Sequence, residues 1–279
     1  MTPKPEWQNS RIGFIGAGNM AGSLIRGLLA KGLPSGQIWA ADIDQDKLQK
    51  LEQDCGINTG KSSAVAAQVD VLILAVKPQV MSQACQEVRK SLDGKPLLLL
   101  SIAAGITLGN LQQWLGKDAA LVRCMPNTPA LVGRGATALF ANPHVSAAQR
   151  ECAENILASV GLCVWLESEA QIDAVTALSG SGPAYFFLLM ECMQETAQSL
   201  GLDAATARQL VLQTALGAAE LAQSGTIDVA ELRRQVTSPG GTTERAIAEF
   251  ESGGMRDLVQ RALEAARKRS EELARDFGK

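Results

Sequence analysis

The chain has 279 residues, which suggests two domains at about 150 residues per domain. Its 46% apolar and 20% charged residues are typical of a globular protein, and a net charge of −3 gives no reason to expect nucleic-acid binding. The longest apolar runs, VDVLILAV and PLLLLSIAAGITL, are shorter than the about 20 residues of a membrane span, so we expect no membrane partner. The polar start MTPKPEWQNS lacks the apolar run of a signal peptide, which favours a cytoplasmic location.

The distribution of cysteine and histidine gives no indication of a metal site. The six cysteines form no CxxC pair and are interpreted as reduced thiols, mostly in the core. The single histidine, His144, lies in the turn-like ANPHVS and is expected to be structural. We therefore predict that the protein holds no metal.

The first part of the chain alternates strand-like and helix-like segments. After a loose tail over residues 1–10, the predicted strands are RIGFIG, QIWAADID, VDVLILAVKP, PLLLLSIAA, AALVRCMPN, GATALFAN and the edge strand CVWLE. The helices predicted between them are NMAGSLIRGLLAKG, DQDKLQKLEQDCG, VMSQACQEVRKSL and TLGNLQQWLG. Such alternation predicts an α/β Rossmann-like domain with a mostly parallel sheet over residues 1–167.

The remainder, residues 168–279, contains only helical patterns and is predicted to be an all-α domain. Its segment AYFFLLMECM is apolar almost all the way round, and such a helix must be buried on every side. A domain of this size cannot bury it alone, so we expect it to pack into a partner subunit.

The segment IGFIGAGNMAG predicts a dinucleotide-binding loop. Gly16, Gly18 and Ala21 have the G-x-G-x-x-A spacing, directly after a strand and at the start of a helix. The first glycine allows the tight turn, and the second lets the backbone approach a pyrophosphate. The loop residues expected to contact the cofactor are Gly16, Ala17, Gly18, Asn19 and Met20.

An acidic residue ends the second strand. Asp42 lies where a carboxylate usually binds the adenosine ribose, which favours NADH over NADPH. Asp44 has a simpler interpretation as the cap of the following helix, on which Lys47 and Lys50 lie.

Two further loops end strands at the carboxyl edge, where ligands bind in this fold. AVKPQ places Ala75, Val76, Lys77 and Pro78 there, and we favour a positioning role for the lysine. MPNTPA adds Met125 and Asn127, whose amide is a candidate donor to the nicotinamide ribose or carboxamide.

The helical part contains two more motifs that expose backbone at helix starts. They are SGSGPAY, with Ser179 and Gly180, and SPGGTT, residues 238–243. No lysine occurs between Lys117 and Lys268, and no histidine follows residue 167. Oxidising an alcohol requires a base of near-neutral pKa, whereas an iminium carries its proton already and accepts hydride readily.

These motifs, in this order with ESGGMR, resemble those of the pyrroline-5-carboxylate reductase family over nearly the whole chain from Arg11. The resemblance implies reduction of 1-pyrroline-5-carboxylate to L-proline, the last step of proline biosynthesis, with NADPH or NADH as cofactor. It also implies a homodimer interlocked through the helical domain, which in this family often assembles further into a decamer.

The resemblance also implies roles for individual residues. The substrate carboxylate is expected on the late loop, formed by Gly240, Gly241, Thr242 and Thr243, with Ser179 and Gly180 as further substrate contacts. Thr243 matches a threonine whose hydroxyl reaches the ring nitrogen, and Ser238 matches a serine that shapes the loop. Ser62 falls where the family often has an asparagine on the adenosine side, and Asp42 departs from the neutral residues common in NADPH-preferring members. The late loop is expected to meet the nicotinamide bound by the partner chain.

Two alternative functions stay open on the residues alone. A β-hydroxyacid-dehydrogenase-like oxidoreductase shares the two-domain plan but requires a lysine on a second-domain helix, where this chain has none. A non-catalytic dinucleotide-binding sensor has no need of a second anion site. Substrate-dependent NAD(P)H oxidation distinguishes the sensor from the enzyme.

Overall fold

The structure, a computed structural model, describes residues 6–92 and 96–277. It divides into two compact units by its contacts: the described residues up to Ser181 with those from Ala266 onward, and Gly182–Ala265. The domain boundary predicted at residue 167 lies just after the last strand of the sheet, which ends at Trp165, whereas the two compact units divide after Ser181. The boundary at 167 stays a prediction.

The first unit is built on one eight-stranded sheet in the order β3-β2-β1-β4-β5-β6-β7-β8. All neighbouring strands are parallel except β6 and β7. The strands are β1 (Ile12–Ile15), β2 (Ile38–Ala41), β3 (Asn58–Thr59), β4 (Val71–Leu74), β5 (Leu98–Ser101), β6 (Ala120–Met125), β7 (Gly135–Ala141) and β8 (Gly161–Trp165). This order over β1–β6 is that of a Rossmann fold, so the predicted fold class is confirmed.

Helices cover both faces of the sheet, which explains why its strands are almost continuously apolar. Helices α1 (Asn19–Ala30), α2 (Gln45–Cys55) and α6 (Ala147–Leu157) contribute to one buried cluster with alternate strand residues such as Ile12 and Phe14. Helices α3 (Ser62–Gln68), α4 (Met81–Arg89) and α5 (Leu108–Leu115) form the other with Ile15 and Leu72. The short helix α7 (Gln171–Val175) follows the sheet.

Several parts of the first unit differ from the sequence expectation, including β3 and α3, which were not predicted. Glu6–Asn9 forms a 3-10 turn, and Trp7 is buried in the core, so the predicted loose tail is wrong for these residues. Residues 1–5 lie outside the described part. Helix α6 was not predicted, although Ser146 and Gln149 form a capping box at its start.

The second unit contains helices only, as predicted for this part of the chain. They are α8 (Gly182–Ser199), α9 (Ala204–Ser224), α10 (Val229–Gln235), α11 (Thr242–Ser252) and the first part of α12 (Met255–Phe277). Gly253 and Gly254 separate α11 from α12, and Gly254 has a φ of 75°, which a side chain disfavours.

The apolar helix α8 is exposed within a single chain. Phe186, Phe187 and Leu188 are each at least 60% exposed. The helical stretch Gln171–Ser199 is also long and apolar enough, by length and composition, to cross a membrane, which the sequence analysis did not note. A helix buried between subunits has the same composition.

Helix α1 approaches the turn before β8 closely at Gly27. A Cβ there would lie 2.8 Å from the Ser159 carbonyl oxygen and 2.7 Å from Val160 Cγ1. Alanine improves helix propensity by about 1 kcal/mol, but overpacking costs about 1–3 kcal/mol. We therefore predict that Gly27→Ala lowers the free energy of unfolding by about 1 kcal/mol, measured by urea denaturation.

Gly109→Ala is the matched control, because the nearest atom to a Cβ there is Thr107 Oγ1 at 3.7 Å. It is expected to leave stability unchanged or raise it. A Gly27→Ala protein as stable as Gly109→Ala would contradict the close packing of α1.

Candidate functional site

The loop after β1 is built around a glycine that no other residue can replace without strain. Gly16 has a φ of 105°, and a Cβ on it would lie 2.6 Å from the Ala75 carbonyl oxygen. The Gly16 N–H donates to Ala41 O, and Ala75 N–H donates to Ile15 O. The turn therefore sits where β1 lies between β2 and β4, the point at which the strand order reverses.

Several helices begin without a side-chain cap, and two of these, α1 and α11, begin at a glycine. Helix α1 starts at Gly18 and α11 at Gly241, and neither has a side-chain cap hydrogen bond. By contrast, five helices begin at residues whose side chains accept a backbone N–H: Asp44, Thr107, Ser146, Asp203 and Asp228. Open N–H groups and the helix dipole favour an anion at the two glycine starts.

The first of these starts fits the pyrophosphate of a dinucleotide. A Cβ added to Gly18 would have no atom within 4 Å, so the space before the helix is open. The predicted residues Ala17, Asn19 and Met20 follow the same turn into α1.

Asp42 is held against this loop. Its Oδ2 accepts the Ala17 N–H at 2.6 Å, and its Oδ1 accepts the Asp44 N–H at 2.8 Å. The carboxylate thus places a negative charge beside the loop, which disfavours a 2′-phosphate. The preference for NADH stays a prediction. Asp44 caps α2, as predicted from the sequence, and forms an ion pair with Lys47 at 2.7 Å. That pairing lowers the pKa of Asp44 and raises the pKa of Lys47.

A cavity of about 800 Å³ continues from Asp42 along the end of β2. Ser62 lies on its wall with Ile43, which supports the predicted adenosine-side position of Ser62. Three residues of this wall were not predicted from the sequence: the two cations Lys61 and Lys90, and Ile43, which is 95% exposed. The polar run TGKSS at 59–63 is the signal that could have pointed to Lys61.

The loops after β4 and β6 lie at the same carboxyl edge. Ala75 and Val76 continue from β4, and Lys77 is exposed immediately before the 3-10 turn Pro78–Val80. Asn127 follows β6, and its side chain has structural partners: Nδ2 donates to Ser179 O at 3.0 Å, and Oδ1 accepts the Ala136 N–H at 2.8 Å. The amide has a second N–H, and only that group fits the predicted role as a donor to the cofactor.

The segment before α8 contains a π-helix, Thr176–Gly180, in which Ser181 N–H donates to Thr176 O at 2.8 Å. Turns of this kind often mark functional sites. Gly180 contacts Met125, because an added Cβ would lie 2.5 Å from Met125 Cε. Ser179, Gly180, Met125 and Asn127, predicted for two different ligands, are therefore brought together in the first unit.

The late loop, residues 238–243, lies in the second unit. Gly240 has a φ of 70°, and the Gly241 N–H donates to Ser238 O at 3.0 Å, so the serine contributes through its backbone. The Gly240 N–H donates to Glu244 Oε2 at 2.7 Å and is therefore already engaged. Within the described residues, the N–H groups of Thr242 and Thr243 have no acceptor, as expected at a helix start.

Three of the thiols are not suited to acid–base or nucleophilic work. Burial raises the pKa of Cys85 and of Cys163 to about 12, and it raises the pKa of Cys124 well above its ordinary value. Among the described residues, no group of three His, Cys, Asp or Glu side chains could hold a metal ion.

The first unit is thus a dinucleotide-binding domain of the kind found in oxidoreductases, and the second carries a helix start suited to an anion. Residues 11–105 match the family described as NADP oxidoreductase, coenzyme F420-dependent, and residues 169–273 match pyrroline-5-carboxylate reductase dimerisation. The chain is 54% identical to the pyrroline-5-carboxylate reductase of Pseudomonas aeruginosa, over 96% of this chain and 98% of that protein.

Solved structures give the same result. A pyrroline-5-carboxylate reductase from Coxiella burnetii has a TM-score of 0.91 and 46% identity, over 95% of this chain and 98% of that one. The Plasmodium falciparum pyrroline carboxylate reductase with NADP bound has a TM-score of 0.85 and 28% identity, over 96% of this chain and 99% of that one.

The chain therefore belongs to the pyrroline-5-carboxylate reductase family. This confirms the resemblance, the predicted enzyme class and the use of NAD(P)H. The dimerisation match also supports a homo-oligomer and a substrate of the family's kind.

Asp42 provides a test of cofactor choice. In Asp42→Ser the negative charge beside the loop is lost, so the ratio of kcat/KM for NADPH to that for NADH should rise about tenfold. Affinity for both cofactors should fall somewhat, because Ala17 loses its acceptor. The measurement is steady-state kinetics with each cofactor in turn.

Asp46→Ser, an exposed acid on α2, is the control and should leave the ratio unchanged. An unaltered ratio in Asp42→Ser would show that Asp42 does not influence the ribose end of the cofactor.

Proposed function

We propose that this protein reduces 1-pyrroline-5-carboxylate to L-proline by hydride transfer from NAD(P)H, the final step of proline biosynthesis. The observation that carries the proposal is the uncapped start of α11, whose N–H groups at Thr242 and Thr243 suit the substrate carboxylate. Family membership supports the reaction.

The substrate is held by its carboxylate. Two backbone N–H groups and the positive end of α11, a helix of 11 residues, stabilise a negative charge there. Gly240 supplies the left-handed turn that opens this start, and the Ser238 carbonyl fixes the turn through Gly241. The Glu244 carboxylate on the Gly240 N–H leaves the two threonine N–H groups as the substrate's donors.

The chemistry needs orientation more than acid–base help. Bound NAD(P)H supplies the hydride to the carbon of the C=N bond. The Thr243 hydroxyl lies one residue into α11, where it reaches the ring nitrogen in this proposal. Since no lysine or histidine occurs in residues 168–267, the ring nitrogen enters as an already protonated iminium. The same absence disfavours the β-hydroxyacid-dehydrogenase alternative.

The nicotinamide end of the cofactor lies at the carboxyl ends of β4 and β6 in this proposal. Backbone at Ala75 and Val76, the exposed Lys77 and the second amide proton of Asn127 are the groups that fix it. Ser179 and Gly180, which touch Asn127 and Met125, form the substrate side of the same edge. The late loop that completes the site is that of the partner subunit.

The assembly in this proposal is a homodimer through the helical part, able to associate further into a decamer, in the cytoplasm. The exposed apolar side chains of α8 support burial against a second copy. We assign α8, the exposed apolar part of the stretch Gln171–Ser199, to this interface and not to a membrane, and no nucleic-acid partner is proposed.

The direct test is substrate-dependent oxidation of NADH and NADPH by the purified protein, followed at 340 nm with 1-pyrroline-5-carboxylate. Turnover with the imine, and none with β-hydroxyacids in the oxidative direction, is the expected result. Cofactor binding without any turnover would favour the sensor alternative.

Thr243→Ala should lower turnover about 10–100-fold, because one hydrogen bond made in the transition state is lost. The dissociation constants of NADH and NADPH should not change, since the cofactor lies on the other domain. Kinetics and fluorescence titration check the two statements.

Thr226→Ala, an exposed threonine between α9 and α10, is the matched control and should retain full turnover. Equal turnover in the two variants would remove Thr243 from the mechanism.

Phe186→Glu should shift the protein from dimer to monomer at micromolar concentration, because it buries an unpaired charge in an apolar interface. Light scattering after size exclusion gives the mass directly. Phe186→Leu keeps the surface apolar and should stay dimeric, whereas an unchanged mass in Phe186→Glu would place the interface elsewhere.

A further inference from the structure

The segment 169–180 is attached at three points to β6 and to Asn127, which lies two residues beyond the end of β6. Arg123 Nη1 donates to Glu169 Oε1 at 2.9 Å, and Asn127 Nδ2 donates to Ser179 O at 3.0 Å. Between them, Met125 Cε packs against the backbone of Gly180. The three β6-side residues alternate along the chain, as side chains on one face of a strand do. They form a row that ends at the carboxyl edge of the sheet.

The first of these attachments is an ion pair between a buried arginine and a partly buried carboxylate. The Arg123 side chain is 3% exposed and that of Glu169 28%. Glu169 Oε1 also accepts the Leu108 N–H at 2.8 Å, at the start of α5. One carboxylate therefore joins β6, α5 and the segment that leads into α7.

This pair is not explained by stability alone. Burying the Arg123 charge carries a desolvation penalty that its attraction to Glu169 offsets only when the geometry is good, and apolar residues often serve a core better. The pair also leaves Arg123 Nε, together with Ser101 Oγ on the neighbouring strand, without a partner among the described residues. Ser101 and Arg123 are direct register partners on β5 and β6. Buried polar groups of this kind are rare and often accompany functional sites.

We infer that Arg123 is a positioning residue for the reaction. Through Glu169 it fixes where segment 169–180 lies along β6, and hence where the Ser179–Gly180 turn stands at the carboxyl edge. The inference rests on the proposed function, in which that turn contacts the substrate.

The π-helix makes this position sensitive to the pair. It contains one residue more per turn than an α-helix, so the segment can slide along β6 by relaxing into regular helix. Glu169 anchors one end of the segment and Asn127 the other. Weakening the anchor at Glu169 therefore displaces the turn without disturbing the cofactor loop at Gly16.

The test uses Glu169→Gln in the full-length protein. Glutamine keeps the shape and an acceptor oxygen for the Leu108 N–H but removes the charge that pairs with Arg123. We expect kcat/KM for 1-pyrroline-5-carboxylate to fall about tenfold, since a small misplacement at a reacting centre reduces the rate by up to 10²-fold. The dissociation constants of NADH and NADPH should stay unchanged. Amide hydrogen exchange over residues 176–181 should accelerate, and exchange over β1 and α1 should not.

Glu154→Gln is the matched control. Glu154 Oε2 accepts the Trp165 Nε1–H at 2.8 Å, so it also joins a helix to a strand in this unit. Among the described residues its side chain has no hydrogen bond or ion pair with segment 169–180. It should change neither kcat/KM nor exchange at 176–181. A loss of kcat/KM equal in the two variants would reduce the role of Glu169 to general stability and overturn the inference.

Arg123→Lys and Arg123→Met give an independent comparison from the other side of the pair. Lysine keeps the charge and should retain more kcat/KM and more exchange protection at 176–181 than methionine does. If the Arg123→Met protein does not fold, the comparison of Arg123→Lys with the wild-type protein still tests whether Arg123 positions the segment. Unchanged exchange and unchanged kcat/KM in both Glu169→Gln and Arg123→Lys would overturn the inference.

If the proposed function is wrong, the measurements give a different result from the one expected if only the inference about Arg123 is wrong. A wild-type protein without turnover on 1-pyrroline-5-carboxylate would reject the reaction. The exchange measurement would still show whether the pair positions the segment.

Discussion

The cofactor side of the structure depends on the close approach of β1 and β4 at Gly16. The carbonyl of Ala75 stands where a side chain of residue 16 would be, so only glycine closes the turn there. That turn leads the chain directly into α1 and leaves its first N–H groups without a side-chain cap. The Asp42 carboxylate then binds the same loop through Ala17. One steric constraint thus fixes both the phosphate end of the cofactor site and the charge beside its ribose end.

A helix that begins at a glycine, without a side-chain cap, occurs twice in the chain at positions suited to two different anions. At α1 a glycine start suits a pyrophosphate, and at α11 a glycine start suits a carboxylate in the proposed reaction. Several other helices begin at Asp, Thr or Ser side-chain caps, whereas α1 and α11 begin at a glycine with no such cap. An imine that needs no strong base fits a protein that supplies backbone donors and a threonine hydroxyl but few titratable groups.

Much of this arrangement was predictable from the sequence because it follows from local patterns. Gly16 and Gly240 stand where positive φ is needed, and alternating apolar strands and helices predicted the sheet. The three-point attachment of segment 169–180 was not predictable, since Arg123 and Glu169 are 46 positions apart and neither belongs to a motif. The two-residue strand β3 is too short to give a periodic signal, and Trp7 is buried by tertiary packing that the polar tail around it conceals. The structural partners of Asn127 also appeared only in three dimensions.

The measurement that tests the central claim most directly is a crystal structure of the protein with L-proline and oxidised cofactor bound. The account predicts the proline carboxylate within hydrogen-bonding distance of the Thr242 and Thr243 N–H groups, with the ring nitrogen near the Thr243 hydroxyl. A carboxylate bound instead by a side chain such as Lys77, with the start of α11 empty, would contradict it.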